Sequence, residues 1–210
     1  MTALGRALFD AVKSTAGSGA DLVLPLGQPV EALLRPIATT AGCISLDDAR
    51  LLSAWRNRFV KSFLTEFVSH EERTAAWLAG AVARDPGKVL FMVDTLDGES
   101  IGHVGLGFID WDRGYVEADA IVRGGDARKG LMKLALQALL HWARHSLGLP
   151  DAWVRVRSDN PAVAFYRKAG FAEVKRVPLA RTGAGDQVSW HEDHDAGPDA
   201  PALVYMRYQP

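Results

Sequence analysis

Tyr115-Val116-Glu117-Ala118-Asp119-Ala120-Ile121-Val122, running into Arg123-Gly124-Gly125-Asp126-Ala127-Arg128-Lys129-Gly130, opens the stretch to Pro178 around which this 210-residue chain is organised. The first eight residues alternate. Val116, Ala118, Ala120 and Val122 fall on one face and Tyr115, Glu117, Asp119 and Ile121 on the other, as a half-buried strand requires. Side chains two apart on a strand stand roughly 6.5–7 Å apart, so both carboxylates can border one site, an arrangement suited to a general base. The plain alternative is a solvated sheet face.

After the glycine-containing loop, Leu131, Leu134, Ala135, Ala138, Leu139 and Trp142 recur at helical spacing, which predicts a helix from near Gly130 to about Leu147. Its second apolar stripe, Met132, Leu136, Leu140 and Ala143, predicts a central helix covered on more than one side. First-turn amides have no intrahelical partners, and the loop adds Arg128, Lys129 and flexible backbone. Together they form an anion site suited to phosphate, although no Gly-Lys-Ser/Thr completes a Walker loop. An ordinary basic turn is the competing reading.

Gly148 and Pro150 end the helix, Ala152 to Val156 alternates as a strand, and Asn160-Pro161 supplies cap chemistry for a short helix. Ala162, Phe165, Tyr166 and Ala169 line one face of that helix, Gly170 closes it, and Phe171 begins another strand. Strand, helix, strand, helix, strand implies an α/β layer with at least one crossover connection.

Val122 to Met132 resembles the acyl-CoA pyrophosphate loop of the GNAT acyltransferase superfamily. Arg157-Ser158-Asp159-Asn160-Pro161-Ala162-Val163-Ala164-Phe165-Tyr166-Arg167-Lys168-Ala169-Gly170-Phe171 resembles its later cofactor-binding motif more specifically. The likeness runs from about Leu34 to Pro178. It departs from the family loop at Ala127 and Met132, which take the outer positions around Gly130, so pyrophosphate binding leans on Arg128, Lys129 and backbone amides. The resemblance implies an α/β (α+β) fold: a single GNAT-like domain with a mixed, mostly antiparallel sheet of six to seven strands and a strand-helix-strand-helix cofactor unit. It implies acetyl-CoA as co-substrate, contacted by Ile121, Val122, Arg123, Arg128, Lys129, Gly130, Leu131, Met132, Asn160, Phe165 and Lys168, with no metal. Asp119, favoured over Glu117, would take the proton of the amine, a backbone amide at Ile121 or Val122 would face the developing oxyanion, and Tyr166 would protonate the departing thiolate.

The rest of the chain reads as support. A formal net charge of −1 gives no field for steering nucleic acid, and no apolar run suits a membrane span. Cys43 is the only cysteine, so no intrachain disulfide can form and a cytoplasmic setting is expected. Residues 1–32 read as a helical extension, with Leu4, Leu8, Ala11 and Val12 on a face that could meet a partner subunit in a homodimer; residues 33–210 read as the acetyltransferase domain. A strand is predicted over Leu33–Ile37, a helix from a Ser45 cap through Trp55, a capping box at Ser69-His70-Glu71-Glu72, and a hairpin through Asp97-Gly98. His191 to Asp195 reads as a polar loop and Leu203 to Tyr208 as the last strand. Trp55-Arg56-Asn57 resembles a signature of GNAT members that acetylate amino-sugar nucleotides or protein N-termini. With His103 on the strand before the carboxylates, it implies a small primary-amine acceptor, first a nucleotide-linked amino sugar. A protein N-terminal amine is the alternative substrate, and a non-catalytic CoA-binding module the alternative class; for His103 alone, a structural role competes.

Overall fold

The computed structural model describes residues 2–183, 187–197 and 199–210. The elements in chain order are α1 (Thr2–Thr15), β1 (Leu24–Leu26), β2 (Ala32–Pro36), α2 (Leu46–Arg58), β3 (Thr65–Glu66), α3 (Glu71–Trp77), β4 (Val89–Thr95), β5 (Ser100–Asp110), β6 (Tyr115–Arg123), α4 (Leu131–His145), β7 (Asp151–Arg157), α5 (Ala162–Ala169), β8 (Phe171–Thr182), β9 (Val188–Glu192) and β10 (Ala202–Tyr208). Ten strands form one sheet in the order β1-β2-β4-β5-β6-β7-β10-β8-β9-β3. Only β6 and β7 run parallel, joined by the α4 crossover.

Ten strands exceed the six to seven expected from sequence. The additional ones are β1, β3 and β9. Three-residue β1 and two-residue β3 are too short to show alternation. In β9, His191 and Glu192 lie within a stretch whose Asp and Gly content reads as loop, yet Leu179↔Glu192 and Ala180↔His191 are paired with β8.

Each face of the sheet has its own core. On one, α4 and α5 bury Leu136, Leu139, Leu140 and Tyr166 against Val116, Ala118, Val154 and Val156. On the other, α2 and the turn that follows α3 bury Leu52, Trp55 and Leu78 against Leu90, Met92 and Val122. The first helix belongs to this same molecule: Phe9 and Val12 lie in the α4-side core, Phe9 meets Trp111 edge-on at 5.6 Å, and a Cβ on Gly5 would come within 2.1 Å of the Leu147 carbonyl oxygen. Of the apolar face that the sequence offered to a partner subunit, Val12 is buried by the chain's own core and Leu8 and Ala11 are half-buried, whereas Leu4 stays exposed.

Local signals explain the element ends. Ser45 Oγ accepts from the Asp48 amide at 3.2 Å, as a cap should. The predicted capping box is shifted by one residue: His70 caps α3, its Nδ1 accepting from the Arg73 amide at 3.3 Å, while Ser69 Oγ turns to Thr74 Oγ1 at 3.0 Å. Gly170 closes α5 with φ at +108°. Arg35 ties α2 to the sheet, donating to Asp48 at 2.9 and 3.0 Å and to Asp94 at 2.6 Å.

Candidate active site

The parallel pair β6/β7 is joined only over Tyr115↔Asp151, Val116↔Ala152 and Glu117↔Trp153. Beyond that point β6 continues beside β5 to Arg123 and β7 continues beside β10 to Arg157, so a gap opens in the middle of the sheet. A bulge in β6 sits at its mouth. His103 pairs with Val122 and Gly105 with Asp119, so β6 places one extra residue there, and Ala120 takes φ +50°, a region costly for a residue with a Cβ. The bulge breaks the uninterrupted alternation expected from Tyr115 to Val122. Val116, Ala118 and Ile121 pack toward α4, whereas Ala120 and Val122 pack toward α2 and α3. With Gly124 N–H donating to Ile101 across β5 at 2.9 Å, alternation directs the Ile121 and Arg123 amides away from β5 toward the gap.

Each carboxylate has its own partners. Glu117 is buried and accepts from Tyr115 Oη at 2.5 Å and Arg155 Nε at 2.7 Å. Asp119 accepts from Lys88 Nζ at 2.5 Å and from the Ala120 amide at 2.8 Å, which fastens the bulge. Its side chain is 28% exposed against 8% for Glu117, so Asp119 is the more open of the two. Gly107 makes room for it, since a Cβ there would meet Asp119 Oδ2 at 3.1 Å.

The loop before α4 is built from backbone. Gly124 lies flat on Trp55: a Cβ there would come within 1.9 Å of the indole, so no side chain fits. Arg58 Nη1 donates to the Gly124 carbonyl at 2.6 Å, and Gly130 begins α4 at φ +98°. Among the described residues, the amides of Asp126, Ala127, Arg128, Lys129 and Gly130 have no hydrogen-bond partner. This run of donors, followed by the positive end of a helix, fits a pyrophosphate. Arg128 is paired with Glu31 from the β1–β2 turn, Arg123 stands 3.9 Å from Asp126, and Lys129 is exposed. The side chains of Leu131 and Met132 turn into the core, Met132 against Gly102, and the Leu131 amide donates to the Arg128 carbonyl at 3.3 Å.

On α5, Asn160 Oδ1 accepts from the Ala162 amide at 2.8 Å and its Nδ2 donates to the Ser62 carbonyl at 3.1 Å. Phe165 is half-buried and Lys168 exposed. Tyr166 is buried, edge-on to Phe165 and Phe171. Burial, and then the nearby charge of Asp119, push its phenol well above the usual range, so it stays protonated. His103 is buried beside the bulge, near-parallel to Trp55 with ring centroids 6.0 Å apart, and its Nδ1 has no partner among the described residues. Burial pushes its pKa down to about 4, against the opposing pull of the Ala120 backbone and Asp119.

Arg56 and Asn57 fasten the connection between α2 and α3. The Arg56 guanidinium lies over Phe63 at 4.6 Å and Phe67 at 3.9 Å and donates to the Thr65 carbonyl at 2.6 Å. Asn57 clamps the backbone of Ser69 with two 2.8 Å hydrogen bonds. The sequence reading missed Lys88, Arg155 and Arg58, which hold Asp119, Glu117 and Gly124. Arg155 and Arg157, two apart on β7, share the face of the carboxylates; that spacing was the available sign. Lys88 carried none.

A mixed sheet opened beside a bulge, with a nest of amides at the head of the crossover helix, defines an acyl-CoA-dependent transferase fold. The chain belongs to the GNAT acetyltransferase family: the family profile for the acetyltransferase (GNAT) domain matches residues 43–172, more than half of the sequence. No curated protein matches the sequence. Among solved structures, a probable GNAT-family acetyltransferase from Chromobacterium violaceum superposes with a TM-score of 0.64 at 18% identity, covering 84% of this chain and 82% of that one. A spermidine N-acetyltransferase from Vibrio cholerae in complex with CoA and spermine gives 0.61 at 18% identity over 78% and 90%. The Vibrio cholerae spermidine/spermine N-acetyltransferase SpeG in complex with manganese ions gives 0.59 at 18% identity over 84% and 91%. At these identities the likeness is one of fold. The protein is an acyltransferase enzyme that uses acetyl-CoA. Among the described residues no group of three or more His, Cys, Asp or Glu side chains could hold a metal ion, and no helix is long and apolar enough to cross a membrane.

Proposed function

We propose that this enzyme acetylates a primary amine on a small acceptor, with the cofactor crossing the β6/β7 gap and the amine approaching from the α2/α3 face. The observation that carries this reading is the gap itself, flanked by gap-facing amides on one strand and open to Asp119. Holding amine and thioester together supplies much of the rate through proximity. Asp119 receives the amine proton, directly or through water, because Glu117 is enclosed by Tyr115 and Arg155. The Ile121 amide serves the oxygen that gains negative charge, and Tyr166 hands its proton to the departing thiolate.

For the finer choice of acceptor, a nucleotide-linked amino sugar stays the preferred form, since it offers both an amine and phosphates. Arg56 and Asn57, which raised that expectation, are engaged within the fold, so support has to come from other groups on the α2/α3 face. Release of CoA thiol in the presence of a panel of amines tests the reading. Acceptor-dependent release supports acetyl transfer; cofactor affinity without release from any amine overturns it and leaves a binding module.

A further inference from the structure

A pocket of about 440 Å³ lies where the β3/β9 seam meets the end of β7; of its lining only Asn160 has been given a ligand above, the cofactor, and the rest is unassigned. Lys61, Ser62, Glu66, Arg157, Asp159 and Trp190 supply most of its polar lining. Arg157 is two residues beyond Arg155 on the same strand, so it faces the same side of the sheet as Glu117 and stands at the open end of the gap. We propose that this pocket takes an anionic group of the acceptor, a phosphate or a carboxylate, while the amine reaches into the gap. The proposal rests on the acetyltransferase reading and names its class of substrate.

Most charges in the pocket are already matched. Arg157 is buried and fully engaged: Nε and Nη2 donate to Asp159 at 3.0 and 2.7 Å, Nη1 donates to Glu66 Oε1 at 3.0 Å, and the guanidinium covers the Trp190 ring at 4.3 Å. Glu66 Oε1 also accepts from Trp190 Nε1 at 2.7 Å, and that bond, the Arg157 contacts and the more distant charge of Arg181 hold its carboxyl below the usual range. Both carboxylates of the pocket therefore stay ionised and carry internal partners. The two remaining cations, Lys61 and Arg181, make no salt bridge among the described residues. With Arg157 the lining holds three cations against two carboxylates, an excess of positive charge beside the open Ser62 hydroxyl. A polyamine would bring more positive charge into this lining, whereas a phosphate or carboxylate would pair with Lys61 and Arg181.

The experiment uses the full chain and two readouts. Turnover is compared for glucosamine 6-phosphate, for glucosaminic acid as a carboxylate-bearing relative, for glucosamine and for spermidine, which separates phosphate from carboxylate and both from polycations. The ratio of kcat/KM for glucosamine 6-phosphate over glucosamine should exceed ten, and the double variant Lys61→Glu/Arg181→Glu should lower it at least 30-fold. Both side chains are exposed, so the variant should fold, which the melting temperature verifies. Independently of catalysis, calorimetry with glucosamine 6-phosphate is run with CoA at saturation, so that the amide loop before α4 is filled. Binding that the double variant abolishes supports the pocket even if no amine is acetylated. Wild-type preference for spermidine over both anionic amines, or binding and ratio unmoved by the double variant, overturns the proposal. Absence of thiol release with every amine, with anion binding intact, overturns the acetyltransferase reading instead.

Discussion

The two faces of the opened sheet are built by different means. On the α4 side the site consists of main chain: free amides at 126–130 and a helix terminus. On the α2/α3 side it consists of side chains brought from distant segments, such as Lys88 with Asp119, Arg155 with Glu117, and Glu66 with Arg157 and Trp190. Backbone-built sites tolerate drift in side-chain identity, so the first face can keep its ligand while the second is rewritten for a new acceptor. That contrast orders the expected effects of mutation.

Tyr166 is a side chain of the α4/α5-side core, on the first face, and its loss should be the most damaging. Tyr166→Phe keeps the ring and removes one oxygen, and a general acid contributes about 10²–10⁴ in rate. We expect kcat to fall about 100-fold with unchanged acetyl-CoA affinity and melting temperature. Near-full kcat in steady-state assays would make solvent the proton source and Tyr166 a packing residue.

His103 supplies the next largest effect, on stability. Its folded-state pKa of about 4 lies below the ordinary 6.5, so the native ring is neutral while the unfolded chain takes up a proton first as pH falls. Its contribution is complete above pH 6.5 and lost between 6.5 and about 4, amounting to at most about 3 kcal/mol. Urea titrations across that window should show a slope that His103→Gln flattens. An unchanged slope would mean the ring is protonated, or solvated, in the native state.

Much of the α4 face was legible because its features are local. Gly124, Gly130, Asn160-Pro161 and Gly170 mark turns and caps at fixed spacing, and the apolar stripes of α4 fix its register. The α2/α3 face was hardly legible. Lys88 and Asp119 are 31 positions apart and Trp190 and Glu66 are 124 apart, and no periodicity links such pairs. The β6 bulge was hidden for a related reason: Tyr115 to Val122 alternates cleanly as text, and only its pairing with β5 inserts the extra residue at Ala120. Trp55-Arg56-Asn57 shows what a local motif leaves unsaid: its polar members also hold the α2–α3 connection, through contacts 9 and 12 positions away.

Asp119 and Glu117 allow the contrast to be sharpened within one strand. Asp119→Asn should lower kcat at least tenfold at neutral pH with little change in stability. Glu117→Gln should do the opposite, costing about 2 kcal/mol by leaving Arg155 half-matched, with kcat nearly intact. Paired steady-state and denaturation measurements decide it. Loss of rate in Glu117→Gln alone would transfer the proton-accepting role to the buried carboxylate.

The smallest effect is expected where side chains only assist the backbone. In Arg128→Glu/Lys129→Glu both charges beside the proposed pyrophosphate site are reversed, yet the amides of 126–130 remain. Arg128 is about half exposed and already paired with Glu31, so part of its charge is matched before any ligand arrives, and solvent screens the remainder. Acetyl-CoA affinity, measured by calorimetry, should therefore weaken about tenfold, and the deficit should shrink as ionic strength rises from about 0.1 to 1 M, where the Debye length falls from about 10 to 3 Å. A loss beyond 1000-fold would mean that the two side chains, and not the amides, hold the cofactor. No loss would place the cofactor elsewhere on the sheet, because reversing two charges next to a pyrophosphate cannot leave its binding untouched.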